Sequence, residues 1–131
     1  MKLLTYENNG RPRCGILQED HVIDVSALLG TRQTLKDVQA LLELGDDAIA
    51  ITQDALAKSS NTLSLPLDSV KLRSPILQPP TVRDFMIFEE HATAQGTRES
   101  EEAWYRMPIF YFSSPLRIFG PDEAIPYPSC S

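Results

Sequence analysis

The chain has 131 residues and a mass of 14.7 kDa, enough for one ordinary domain or for one small domain with part of another. Apolar residues make up 42% and charged residues 23%, a balance typical of soluble globular proteins that excludes intrinsic disorder as the default. The net charge of −6 and the pI of about 4.8 argue against nucleic acid and anionic membranes as partners. No apolar run is long enough to span a membrane, and polar residues follow Leu4 too soon for a signal peptide, so we expect a cytoplasmic protein.

Cysteine and histidine are scarce in this sequence. The two cysteines, Cys14 and Cys130, lie near opposite ends without a CxxC spacing, which predicts two reduced thiols rather than a zinc or redox site. Cys14 falls within a predicted strand, where a small core residue is expected. Because His21 and His91 are the only histidines, a histidine-rich metal site is excluded by count.

Residues 1–70 are predicted to form a small β meander with two helices. The three strands of the meander are expected at residues 2–7, 13–18 and 21–25. The first turn falls at residues 8–10 (NNG), which tolerate positive φ. Ser26 is the candidate cap of a short helical turn that Gly30 ends.

Two helices that pack as a hairpin are predicted over residues 34–58. Thr34 is the N-cap candidate of the first helix, Gly45 closes it, and Asp46 opens the second. The apolar spacing predicts the buried side of the second helix. Its members are Ala48, Ile49, Ile51, Thr52, Ala55 and Leu56.

Residues 71–131 are predicted to begin a second domain of mixed, mostly β structure, with the boundary near 60–75. Eight of the ten prolines lie at or after Pro75, and the other two are Pro12 and Pro66. Proline removes a backbone donor and fixes φ, so this half is expected to consist of short strands and ordered loops.

Two helices and an exposed set of aromatic residues are predicted in this second half. The helices are expected near residues 84–95 and through residues 99–105. The large apolar side chains need a core, which more chain or another subunit would supply. They are Phe85, Phe88, Trp104, Phe110, Phe112 and Phe119.

Asp84 and His91 are the residues that could carry chemistry. On the predicted helix their seven-residue spacing is about two turns, which places both on one face. They could flank one ligand, with a cation or charge at Asp84 and a proton acceptor at His91. The alternative is that Asp84 caps the helix and His91 is an ordinary surface residue. The sequence has no glycine-rich phosphate loop and no Gly-x-Ser-x-Gly elbow.

Four stretches together resemble the fumarylacetoacetate hydrolase family in its longer form, which has an N-terminal domain. They are residues 1–6 (MKLLTY), 22–29 (VIDVSALL), 79–91 (PPTVRDFMIFEEH) and 104–129, which includes MPIFYF. The resemblance implies an α+β fold in which a catalytic domain of the family's β-roll type follows the N-terminal meander. It also implies hydrolysis of a carbon–carbon bond in a β-diketone, an acylpyruvate or a related oxo-acid. The implied cofactor is Mg²⁺ or Ca²⁺, and the implied assembly is a homodimer.

The same resemblance implies roles for three residues. Asp84 would be a metal-linked carboxylate, His91 the base that activates water, and Tyr111 a group near the substrate oxygens. The two glutamates and the aspartate that complete the family's metal site have no counterpart here. We therefore expect an inactive N-terminal portion of such an enzyme. The alternatives are a non-catalytic accessory or interaction module and, third, a small-molecule binder.

Overall fold

The computed structural model describes three stretches of the chain, residues 1–59, 64–93 and 102–129. They form two compact units. The first unit comprises Met1–Leu77 and the chain from Ile118 onward, and the second comprises Gln78–Arg117. Within the described stretches, no helix combines the length and the apolar character that crossing a membrane requires.

The predicted β meander is confirmed. Its strands are β1 (Lys2–Asn8), β2 (Arg11–Gln18) and β3 (His21–Asp24), each antiparallel to the next. The turn between β1 and β2 is Asn9-Gly10, with φ of 51° and 74°. Two successive positive φ values are typical of the two-residue hairpin turn that matches the twist of the strands.

Two short strands complete a five-stranded antiparallel sheet of order β4-β3-β2-β1-β5. These are β4 (Ser64–Pro66), which pairs with β3, and β5 (Lys71–Arg73), which pairs with β1. A 3-10 turn at Leu67–Ser69 lies between them. β5 belongs to this sheet, and the first unit continues to Leu77.

Three helices pack on the sheet: α1 (Val25–Leu28), α2 (Val38–Leu42) and α3 (Ala48–Lys58). The predicted caps of the first two were wrong. Asp24, not Ser26, caps α1, because its carboxylate accepts the Ala27 N–H at 2.9 Å. The Ser26 hydroxyl instead accepts the Leu35 N–H at 2.9 Å.

The helix predicted from Thr34 begins later, at α2, and Asp37 is its N-cap. The Asp37 carboxylate accepts the Ala40 N–H at 2.9 Å. The preceding segment is bound to the sheet, because the Leu35 carbonyl accepts the Cys14 N–H at 2.8 Å. Because the Leu35 carbonyl is hydrogen-bonded to the sheet, it does not accept the hydrogen bond that a helical turn at this position would require.

The core lies between the sheet and the three helices. Its buried cluster consists of Cys14, Ile16, Ile23, Val25, Leu35, Val38, Leu41 and Ala48. Ala48 and Thr52 are the buried residues of α3, with Ile49 and Leu56 packed against the cluster. Ile51, predicted on the buried side, is 57% exposed, so this part of the prediction was wrong.

The predicted core position of Cys14 is confirmed, and it leads to a test of thiol reactivity. Burial raises the pKa of the Cys14 thiol from 9.0 to about 12, with smaller contributions from Asp37 and Asp24. Because the thiolate is the nucleophile, we expect Cys14 to resist iodoacetamide at pH 8 in the folded chain and to react in urea. Mass spectrometry of the Cys14 peptide measures both rates, and rapid labelling without denaturant would contradict the assignment.

The raised pKa also gives stability a pH dependence. The folded protein holds the thiol proton more tightly than the unfolded chain does, so the contribution of Cys14 is complete below pH 9. It falls as pH rises from 9.0 toward about 12.

The second unit contains β6 (Val82–Phe85), α4 (Glu89–Ala92), α5 (Glu102–Arg106) and β7 (Phe110–Ser113). Its strands form an antiparallel two-stranded ribbon. The helix predicted near residues 84–95 was wrong in its described part, because residues 82–85 pair with β7 and, of residues 84–93, only Glu89–Ala92 is helical. The helix predicted through residues 99–105 corresponds to α5 in its described part, and residues 99–101 lie outside the described residues.

Candidate functional site

The ribbon of the second unit places Asp84 directly opposite Tyr111. The strand register pairs these two residues, with Val82 opposite Ser113 on the same face. Side chains of directly opposed residues in an antiparallel pair lie about 4.5–5.5 Å apart at Cβ. Tyr111 is 63% exposed and Asp84 is exposed as well. Two of the three predicted site residues therefore share one open face.

His91 lies on a different element, the one-turn helix α4. Its backbone N–H donates to the Phe88 carbonyl at 3.1 Å, and its imidazole side is exposed. The prediction that Asp84 and His91 lie two turns apart on a single helix was wrong. Residues 86–88 separate the end of β6 from the start of α4, so helical periodicity does not relate the two side chains.

The opposite face of the ribbon carries an arginine on aromatic rings. The Arg83 guanidinium carbon lies 5.2 Å from the Phe110 ring centroid and 5.4 Å from that of Phe112. Phe110 in turn contacts Phe85 with ring centroids 5.1 Å apart. Such cation–π contacts are worth about 0.5–1 kcal/mol at exposed sites. The aromatic residues of FYFS favour a strand, and this is the sequence signal for the ribbon that the prediction of a helix near residues 84–95 did not use.

An open cleft of about 370 Å³ lies beside the ribbon, lined by residues 85–87 and 104–109. The Tyr105 hydroxyl, at its wall, donates to the Glu89 carboxylate and so links α5 to α4. Arg106 pairs with Glu102 at 2.8 Å within α5. The wall is largely aromatic and apolar, which suits the body of a small organic ligand.

The residues near Asp84 do not by themselves fit a divalent cation. A hard cation takes six or more oxygen ligands, commonly with one or two protein carboxylates for Mg²⁺. The ribbon face offers one carboxylate, Asp84, and one phenol, Tyr111. Across residues 1–59, 64–93 and 102–129, no three or more His, Cys, Asp or Glu side chains are grouped so that they could hold a metal.

Some of the aromatic side chains that the sequence left without a core are exposed, whereas Trp104, Phe110 and Phe119 are partly buried. Phe88 is 76% exposed, Phe112 is 73% exposed and Ile87 is 71% exposed. Exposed apolar groups that lie together are typical of an interaction surface.

Comparison with known proteins gives structural matches only. No protein-family model matches the chain, and no curated protein matches it. Two solved structures of maleylpyruvate hydrolase from Sphingobium sp. SYK-6 are similar to it at 22% identity and a TM-score of 0.49. One is without a named ligand and the other is in complex with manganese(II) and pyruvate. Maleylpyruvate hydrolase is an enzyme of the fumarylacetoacetate hydrolase family.

The two matches cover 64% and 65% of this chain. In both matches the aligned region covers 31% of the length of the hydrolase, so this chain spans about a third of that protein.

Proposed function

We propose that this chain is the N-terminal portion of a metal-dependent hydrolase that cleaves a carbon–carbon bond in an acylpyruvate or a related β-diketone. The observation that carries the proposal is the pairing of Asp84 with Tyr111 on the exposed face of the β6–β7 ribbon. The family resemblance assigns both residues to the site, from separate motifs at residues 79–91 and 104–129. The register brings them together without reference to that resemblance.

Each of the three residues has a distinct task in this proposal. Asp84 would contribute one of the several oxygen ligands that Mg²⁺ or Ca²⁺ requires. The Tyr111 hydroxyl donates a hydrogen bond to an oxygen of the substrate, and His91 accepts a proton from the attacking water. Further polypeptide, in a homodimer with the family's β-roll, supplies the other metal ligands and covers the exposed aromatic residues.

The proposal predicts that the purified 131-residue chain hydrolyses no acylpyruvate. One carboxylate on an exposed ribbon cannot hold a hard cation tightly against water. The measurement is the loss of enol absorbance of an acylpyruvate in the presence of Mg²⁺. Turnover that disappears with EDTA and returns with Mg²⁺ would show instead that the chain is sufficient.

The hydrolase assignment itself is tested in the source organism. An affinity-tagged chain is expected to copurify with acylpyruvate hydrolase activity that EDTA removes and Mg²⁺ or Ca²⁺ restores. A tagged chain that brings no such activity argues against the hydrolase.

The second candidate is a non-catalytic interaction module, favoured by the exposure of Phe88 and Phe112, at 76% and 73%. Aromatic residues are enriched at protein interfaces. A Phe88→Ser and Phe112→Ser double variant would then lose its partner, and Asp84→Asn would have no effect on any function. Under the hydrolase proposal Asp84→Asn abolishes the copurified activity.

A further inference from the structure

The chain returns to the first unit after the ribbon, and it does so very close to β5. Gly120 lies against this strand so tightly that a Cβ atom on it would be 2.9 Å from the Arg73 Cα and 3.0 Å from the Leu72 carbonyl oxygen. These are backbone atoms of a paired strand, which cannot move aside cheaply. Only glycine fits at this crossing.

A tight turn fixes the returning segment next to the crossing. The Gly120 N–H donates to Glu123 Oε2 at 2.6 Å, and the Glu123 N–H donates to the Gly120 carbonyl at 3.3 Å. Pro121 follows the glycine, at the turn position where its fixed φ is favoured. We call residues 118–123 the return segment.

Arg73 joins the return segment to the sheet. Its Nη2 contacts Glu123 Oε1 at 3.1 Å, and its Nη1 donates to Glu7 Oε2 on β1 at 2.8 Å. The side chains are partly buried, with 31% exposed for Arg73 and 17% for Glu123. The Arg73 guanidinium thus bridges two carboxylates that lie more than a hundred residues apart in the chain. Charge-assisted hydrogen bonds of this kind are stronger than hydrogen bonds between neutral groups.

We propose that Arg73 and Gly120 form a latch that fastens the return segment to β5. The latch closes residues 78–117, which carry Asp84, His91 and Tyr111, into a loop that is held at both ends by the first unit. Closing a chain segment at its ends reduces the number of conformations open to it. This device follows from contacts within the first unit alone and does not depend on the proposed function.

The test is hydrogen exchange of the full chain, read by mass spectrometry on peptides from the return segment and from the meander. Gly120→Ala places a Cβ atom against the β5 backbone, and Arg73→Gln removes the ion pairs with Glu123 and Glu7. Both are therefore expected to speed exchange in the return segment about tenfold. Glu123→Gln removes the negative charge and replaces one of the two oxygens that accept from Arg73 and from the Gly120 N–H, so it is also expected to speed exchange in the same peptides.

The matched control is Arg13→Gln, which breaks an arginine–carboxylate pair of the same sheet, Arg13 with Asp24 at 3.0 Å, away from the latch. It is expected to leave the return segment as protected as in the parent chain. Wild-type protection of this segment in both Gly120→Ala and Arg73→Gln overturns the proposal. An equal rise of exchange in the return segment and the meander for Gly120→Ala overturns it too, because that pattern indicates general destabilisation.

Discussion

Replacing Asp24 with alanine is expected to lower the free energy of unfolding by about 3 kcal/mol, combining a lost helix cap with a buried hydroxyl left unpaired. The Asp24 carboxylate accepts the Tyr6 hydroxyl at 2.9 Å, Arg13 Nη1 at 3.0 Å and the Ala27 N–H at 2.9 Å. It therefore joins all three strands of the meander to α1. Tyr6 is 1% exposed, so no water replaces the lost acceptor. Urea denaturation followed by circular dichroism measures the change.

Two variants separate the parts of this effect. Tyr6→Phe removes one donor while the cap and the Arg13 pair remain, so about 1 kcal/mol is expected. Asp24→Asn keeps the shape and the cap, but an amide nitrogen replaces the oxygen that accepts from Tyr6 and Arg13, so its cost should lie between those of Tyr6→Phe and Asp24→Ala. If Asp24→Ala proves no more costly than Tyr6→Phe, the carboxylate does not organise the network.

The same network adds to the alkaline sensitivity of the fold. Burial, followed by the hydrogen bond to Asp24, raises the pKa of the Tyr6 phenol above its ordinary value of 10.0. The folded state therefore holds the phenol proton more tightly than the unfolded chain does. Stability from Tyr6 is complete below pH 10 and falls above it, in the same direction as for Cys14.

The meander could be predicted from the sequence because its determinants are local. Asn9 and Gly10 set the hairpin turn, and the strands on either side are adjacent in the chain. The helix caps could not be predicted in the same way. Ser26 has the chemistry of a cap, but its hydroxyl binds the Leu35 N–H, and that competition depends on the sheet rather than on the neighbours of Ser26.

The candidate site could not be predicted fully for the same reason: its strand depends on a partner strand that is distant in the sequence. A spacing of seven between Asp84 and His91 suits a helix, and nothing within residues 84–95 excludes one. The deciding partner is β7, whose Phe110–Ser113 pairs with Val82–Phe85. Sequence resemblance selected Asp84 and Tyr111 separately, and only the register showed that they face each other.

The largest functional effect is expected for His91→Ala, in the assembly that the proposed function requires. If His91 accepts the proton of the attacking water, its loss lowers kcat by about 10²–10⁴-fold, the usual range for a general base. Metal binding by the assembly is expected to persist, because His91 is not a proposed ligand. Added imidazole should restore part of the rate to this variant, a rescue that a merely structural role would not produce.

Asp84→Asn is expected to act on the metal rather than on the proton transfer. It should raise the Mg²⁺ concentration needed for half-maximal rate by about tenfold or more, and imidazole should not restore the lost rate. Glu90→Gln, next to His91 on α4 and exposed, is the matched control and should stay within about twofold of the parent rate. A His91→Ala assembly with the parent kcat would assign the base to another residue, and an unchanged Mg²⁺ requirement in Asp84→Asn would remove the carboxylate from the metal site. The two variants thus test separately the two halves of a site whose residues lie on a strand and on a helix.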